Sequence, residues 1–218
     1  MLQPATLKFL KGLEKNNDRE WFDAHRDDYA TAKADFEVFA DAVMKAMIPL
    51  EPRLEEQHAK DTMFRIFRDV RFSKDKTPYK THFSAYFSKM GKKWDGAGYY
   101  MQVSPGKVFV GAGIWMPQGP LLKAIRQEID YSYEELQGIL SNKTFKKYFP
   151  ELSGDRLQKV PAGYEADNPA AELLKMKSFI ASHTLPETEV LGKDAVKKIL
   201  ALFTAAKPLV DFFNRAFD

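Results

Sequence analysis

Leu7, Leu10 and Leu13 share one face of a short helix opened by Pro4, a residue suited to the first helical position. Asn16-Asn17 ends it, and Asn17 with Glu20 resembles a capping box. Phe22, His25, Tyr29, Ala32, Phe36, Ala40, Val43 and Met47 then recur every three or four residues. This predicts one long helix of roughly 30 residues, about 45 Å, closed by Pro49 and Pro52. The period next changes to two. MFRIFRDVRF (63–72), FSAYFSK (83–89), YYMQVS (99–104) and KVFVGAGIWM (107–116) alternate as strands do. Ser104-Pro105-Gly106-Lys107 has the Pro and Gly placement of a type II turn, which predicts a hairpin. Helical spacing returns after Pro117, with Leu121, Leu122, Ile125 and Ile129 on one element. Ser132 and Glu135 cap another. Residues 150–169 read as irregular, a short helix runs from Pro169 to Phe179, and Val196 to Phe213 mark a last helix kinked by Pro208.

The links between strands are too short for parallel crossovers. The predicted fold class is therefore α+β: a largely antiparallel central sheet of about four strands, packed with the long N-terminal helix and several C-terminal helices. With no long linker and no internal repeat, the 218 residues predict a single domain, 1–218.

Composition narrows the setting. At 44% hydrophobic and 13% aromatic the chain can bury a substantial core. No apolar run approaches the ~20 residues of a membrane span, and the N-terminus lacks a signal-peptide pattern. Cysteine is absent, which removes disulfides, thiol nucleophiles and cysteine-ligated metals. A soluble, cytoplasmic protein without membrane association is the expectation.

Charge is unevenly distributed. Net charge is only +3, yet residues 65–93 hold nine positive side chains and two negative, leaving the rest of the chain at −4. The segment RIFRDVRFSKDKTPYKTH (65–82) concentrates this excess. Strand alternation places Arg68 among Phe64, Ile66, Val70 and Phe72, so it needs a carboxylate, an outward bulge or a bound anion. Arg65, Asp69 and Arg71 fall on the other face. Arg forms bidentate bonds to carboxylate or phosphate, and Lys adds a mobile charge. Arg65, Arg68, Arg71, Ser73, Lys76 and Lys80 are candidates for holding an anion, walled by Trp21 and Arg26 from the helix start. Asp69, Asp75, Tyr79 and His82 are candidates for acid–base chemistry, His82 foremost. The competing reading makes the Arg–Asp pattern a structural brace and Trp21, His25 and Tyr29 a core stripe. His25, His58, His82 and His183 fit no metal-ligand spacing, so no metal site is expected. No nucleotide-loop or nucleophile-elbow motif is present, and no cofactor is indicated.

NNDREWFDAHRDDY (16–29), RIFRDVRFSKDKTPYKTHFSAYF (65–87), GAGIWMP (111–117) and LLKAIRQEI (121–129) together resemble the uncharacterised domain of unknown function 2461 family, over about residues 5 to 215. The resemblance implies no reaction. It points to Asn17, Trp21, Phe22, Arg26 and Tyr29, and to Arg68, Asp69, Arg71, Phe72, Ser73, Asp75, Lys76, Pro78, Tyr79 and Lys80. This chain departs from it at Ala162, where relatives carry a basic residue, and at Asn168, where they often carry His. Three functions stand open. A small anionic (phosphate- or carboxylate-bearing) ligand bound or transformed at Arg65–His82 leads. A scaffold whose Arg–Asp motif is structural comes next. Nucleic-acid binding through the basic 65–93 region and Trp94 trails, because Asp69 and Asp75 interrupt the charge.

Overall fold

The computed structural model describes residues 1–217. Helix α1 (Pro4–Lys15) carries Pro4 in its first turn and buries Leu7, Phe9, Leu10 and Leu13. The periodicity beyond it continues, but the backbone does not: His25 (φ −116°, ψ 28°) divides the expected long helix into α2 (Arg19–Ala24) and α3 (Arg26–Met47). The cap of α2 is Asp18, whose carboxylate accepts from Trp21 N at 2.8 Å. Asn17 is therefore free for another task. A 3-10 turn (Pro52–Glu56) and α4 (Ala59–Thr62) follow.

Residues 63–72 do not form the expected strand. They make two isolated antiparallel bridges, Met63 to Ala85 and Phe67 to Tyr79. Between these bridges 79–85 spends more residues than 63–67, so the chain bulges at Thr81-His82 and a regular ladder is impossible. The strands are β1 (Phe83–Phe87), β2 (Gly98–Ser104), β3 (Lys107–Ile114), β4 (Leu152–Ser153) and β5 (Phe179–Pro186). They hydrogen-bond antiparallel in the order β1-β2-β3-β5-β4. The β2–β3 hairpin turns at Gly106, whose φ of +81° is the value a type II turn demands. Helices α5 (Gly119–Tyr131), α6 (Tyr133–Ser141) and α7 (Lys143–Tyr148) precede β4. The segment after Pro169, expected to be helical to Phe179, forms only α8 (Ala171–Leu174) before entering β5. Short α9 (Thr188–Leu191) and long α10 (Ala195–Asn214), with Pro208 inside it, complete the chain. The α+β class is as read from the sequence. Among the described residues no helix is long and apolar enough to cross a membrane.

Contacts gather the chain into two units interleaved in sequence. One comprises Met1–Lys92, Tyr100–Val110 and Thr184–Leu200. In it, α1 and α3 cover one side of β1: Phe83 stacks on Phe36 at 5.4 Å, and Phe9 lies 6.4 Å from Phe83. The other comprises Lys93–Tyr99, Gly111–His183 and the chain from Ala201 on. Its core holds Ile125, Ile129, Leu136, Phe145, Phe149, Phe179, Phe212 and Phe213. There the buried Asn214 amide pairs with both backbone groups of Ala97 (2.9 and 3.2 Å).

Candidate functional site

The basic segment of the first unit resolves into three neighbourhoods. The first is a loop braced by its own side chains. Arg68 meets a carboxylate: Nη1 donates to Asp75 Oδ2 at 2.5 Å, to the Thr77 carbonyl at 3.1 Å and to Thr77 Oγ1, and Nη2 reaches Ser73 Oγ at 3.5 Å. Thr77 N–H and Oγ1–H donate to the other Asp75 oxygen. These two Thr77 bonds, then Arg68, hold the Asp75 carboxyl down at about 2. Arg71 forks onto Asp69 through Nε (3.0 Å) and Nη2 (2.7 Å), which lowers the Asp69 pKa. Lys76 Nζ donates to the Val70 and Arg71 carbonyls. Phe72 is 96% exposed, which the alternation pattern would not allow.

The second neighbourhood is aromatic. Tyr79 is buried, with its ring stacked on Phe22 at 4.0 Å. Its backbone is held by Asn17, whose amide accepts from Tyr79 N (3.1 Å) and donates to Tyr79 O (2.9 Å). Trp21 stacks on His25 at 3.9 Å, and His25 Nδ1–H donates to the Trp21 carbonyl. Arg26 is exposed and paired with Asp23. Of the four acid–base candidates, Asp69, Asp75 and Tyr79 thus belong to these two neighbourhoods.

The third neighbourhood holds His82. Because Met63 bridges to Ala85 on β1, Phe64 lies opposite Ser84, with Phe64 N–H donating to the Ser84 carbonyl. The face of the sheet that carries Ser84 is half-exposed and mixed polar and aromatic. On β2, Tyr100 OH donates to Gln102 Oε1 at 2.8 Å, and Gln102 Nε2 donates to Ser104 Oγ at 3.0 Å. Phe64 and Tyr100 rings are 6.1 Å apart, as are those of Tyr100 and Phe109. Three cations gather at the Phe64 end. Lys80 and Lys92 Nζ lie 5.4 and 5.6 Å from the Phe64 ring centre, and Lys92 also donates to the Met63 carbonyl. Arg65 is close enough to Lys80 that burial and Arg65 together lower the Lys80 pKa. Among the described residues, not one of Arg65, Lys80 and Lys92 has a carboxylate at ion-pair distance. Ser84, 2% exposed, sits beside the Tyr100 hydroxyl, yet its Oγ makes no hydrogen bond of ordinary geometry.

Burial, reinforced by Lys80, pushes His82 down to about 4, so at neutral pH it presents an uncharged imidazole able to accept a proton or a hydrogen bond. An unfolded histidine titrates near 6.5. Between about 6.5 and 4 the unfolded chain therefore takes up a proton that the folded chain refuses, and stability falls as pH falls. Denaturant midpoints of wild type and His82→Gln, measured from pH 7.5 to 4.5, should diverge below pH 6.5, wild type losing more. Parallel curves would show that His82 is not held neutral.

The sequence pointed to Arg65, Lys80 and His82 as candidates but not to Phe64, Ser84, Tyr100, Gln102 and Phe109, which the fold brings to the same neighbourhood. The signal was present: YYMQVS alternates buried Tyr99, Met101 and Val103 with Tyr100, Gln102 and Ser104. Trp94, considered as a stacking platform, packs on Phe217 at 4.5 Å. Among the described residues no group of three or more His, Asp or Glu side chains is disposed to hold a metal ion.

No curated protein and no solved structure matches the chain. A family profile does, over residues 5–212, nearly the whole length and all of the segments above. The chain belongs to the family described as conserved hypothetical protein DUF2461.

Proposed function

We propose that the protein binds a small phosphate- or carboxylate-bearing ligand through Arg65, Lys80 and Lys92, beside His82. The observation that supports this reading is that Lys80 and Lys92 share one aromatic ring, with Arg65 near Lys80 and, among the described residues, no carboxylate at ion-pair distance from any of the three. Burial and, after it, the like charge of Arg65 lower the Lys80 pKa, which marks a cost of keeping Lys80 charged there. A bound anion removes it. The Arg68 loop differs in kind, since its guanidinium is already satisfied by Asp75, Thr77 and Ser73. That saturation favours the structural reading for Arg68 through Lys76, and it moves the ligand toward Lys80.

Thermal unfolding with inorganic phosphate, citrate or acetate, at constant ionic strength set with KCl, tests the proposal. A ligand at a hundred times its dissociation constant should stabilise the wild type by ~2.7 kcal/mol. Lys80→Met and Arg65→Met should fold and lose most of that shift. An unresponsive wild type, or variants that respond as strongly as wild type, would overturn the reading.

A further inference from the structure

The anion site does not stand alone on its face. Behind Phe64 the aromatic row continues to Tyr100 and Phe109, with interplanar angles of 57° and 62°. None of the three rings is fully buried. Beside the row stands an amide edge. Gln102 accepts once through Oε1 and donates once through Nε2, which leaves one N–H and one lone pair uncommitted. Ser84 Oγ, buried, lies beside the Tyr100 hydroxyl.

These features have different requirements. The cations take a phosphate. The ring row takes a flat π face, which any nucleobase offers. The Gln102 amide takes a ring whose edge carries both donors and acceptors. An aliphatic phosphate would use only the first. Resting on the anion-binding reading above, we propose that the ligand is a nucleoside monophosphate, its phosphate at Arg65, Lys80 and Lys92 and its base against Tyr100 and Phe109 with its edge toward Gln102. The Asp69 and Asp75 carboxylates further along the segment fit a single small anion better than a polyanionic strand.

Equilibrium dialysis at fixed ionic strength with inorganic phosphate, ribose 5-phosphate, adenosine and adenosine 5′-monophosphate separates the two proposals. The monophosphate should bind wild type at least tenfold more tightly than either ribose 5-phosphate or adenosine. Phe109→Leu, at a half-exposed position, should collapse the preference over ribose 5-phosphate while leaving ribose 5-phosphate binding within twofold. Lys80→Met should weaken every phosphate ligand. Equal binding of the monophosphate and ribose 5-phosphate to wild type would overturn the base site and leave the anion site standing. Binding of adenosine as tight as the monophosphate would overturn recognition of both parts together. A preference that survives Phe109→Leu would place the base elsewhere. No binding of any phosphate ligand would overturn both proposals.

Discussion

Gly113→Ala should lower the thermal midpoint by about 10 °C. Gly113 has φ of +128°, and a Cβ there would lie 2.0 Å from the Phe179 carbonyl oxygen and 3.1 Å from its carbon. Both atoms are backbone of β5, so no side chain can rotate away. A side chain forced into that backbone conformation costs about 1–3 kcal/mol, and overpacking adds about 1–3 kcal/mol. Against a typical total of about 5–15 kcal/mol, that is a large share. For a domain of this size each kcal/mol moves the midpoint by about 2–4 °C. Gly119→Ala is the control, because a Cβ at Gly119 meets nothing within 4 Å. Scanning calorimetry should find that variant within about 2 °C of wild type. If Gly113→Ala were equally silent, the close approach of β3 to β5 would be wrong.

The same glycine shows what sequence could and could not supply. A glycine inside a strand pattern marks either a bulge or a close backbone approach, and the structure has the close approach. The partner was not legible, because the helix expected from Pro169 to Phe179 took in the first residue of β5 and no strand was read in the residues after it. Phe179, Ile180 and Ala181 suit a buried strand as well as a helix end, and only pairing along β3 and β4 decides between them. Helix α1 and the β2–β3 hairpin were legible because local rules alone specify them: three leucines on one face, and a Pro-Gly turn. The division at His25 was hidden, since side-chain spacing continues through a backbone break.

For the candidate site, composition located the charge but not its accounting. Arg68 and Asp75 pair across seven positions only because Thr77 fastens the turn between them. Lys80 lies a few residues further on, where the two-residue bulge turns the chain back into β1, and among the described residues no acid lies at ion-pair distance from it. Alternation predicted Arg68 buried and Phe72 beside it. The missing ladder beyond Phe67 leaves both free to turn, Arg68 into its loop and Phe72 into solvent.

Phe22→Ala and Phe72→Ala should give opposite results, although the family resemblance pointed to both phenylalanines. Phe22 is 3% exposed and its ring meets four others: Tyr79 at 4.0 Å, Tyr29 at 5.0 Å, Phe67 at 5.8 Å and Phe9 at 6.5 Å. Truncation leaves a cavity in that cluster, and Phe-to-Ala changes in cores cost about 3–5 kcal/mol. Urea unfolding should show the loss as a lower midpoint with an unchanged slope. Phe72 makes only an exposed contact with Arg71, so its truncation should stay within about 0.5 kcal/mol. The consequence reaches the ligand site through the backbone. Tyr79 is fixed by its stack on Phe22 and by the two Asn17 bonds, and the next residue is Lys80, whose N–H is tied to the Ile66 carbonyl. Loosening Tyr79 should therefore let Lys80 leave the Phe64 ring. In Phe22→Ala, still folded at low temperature, the phosphate-induced stabilisation should shrink along with the midpoint, while Phe72→Ala keeps both. A Phe22→Ala protein that lost stability but responded fully to phosphate would mean that the aromatic cluster supports the fold without positioning the cations.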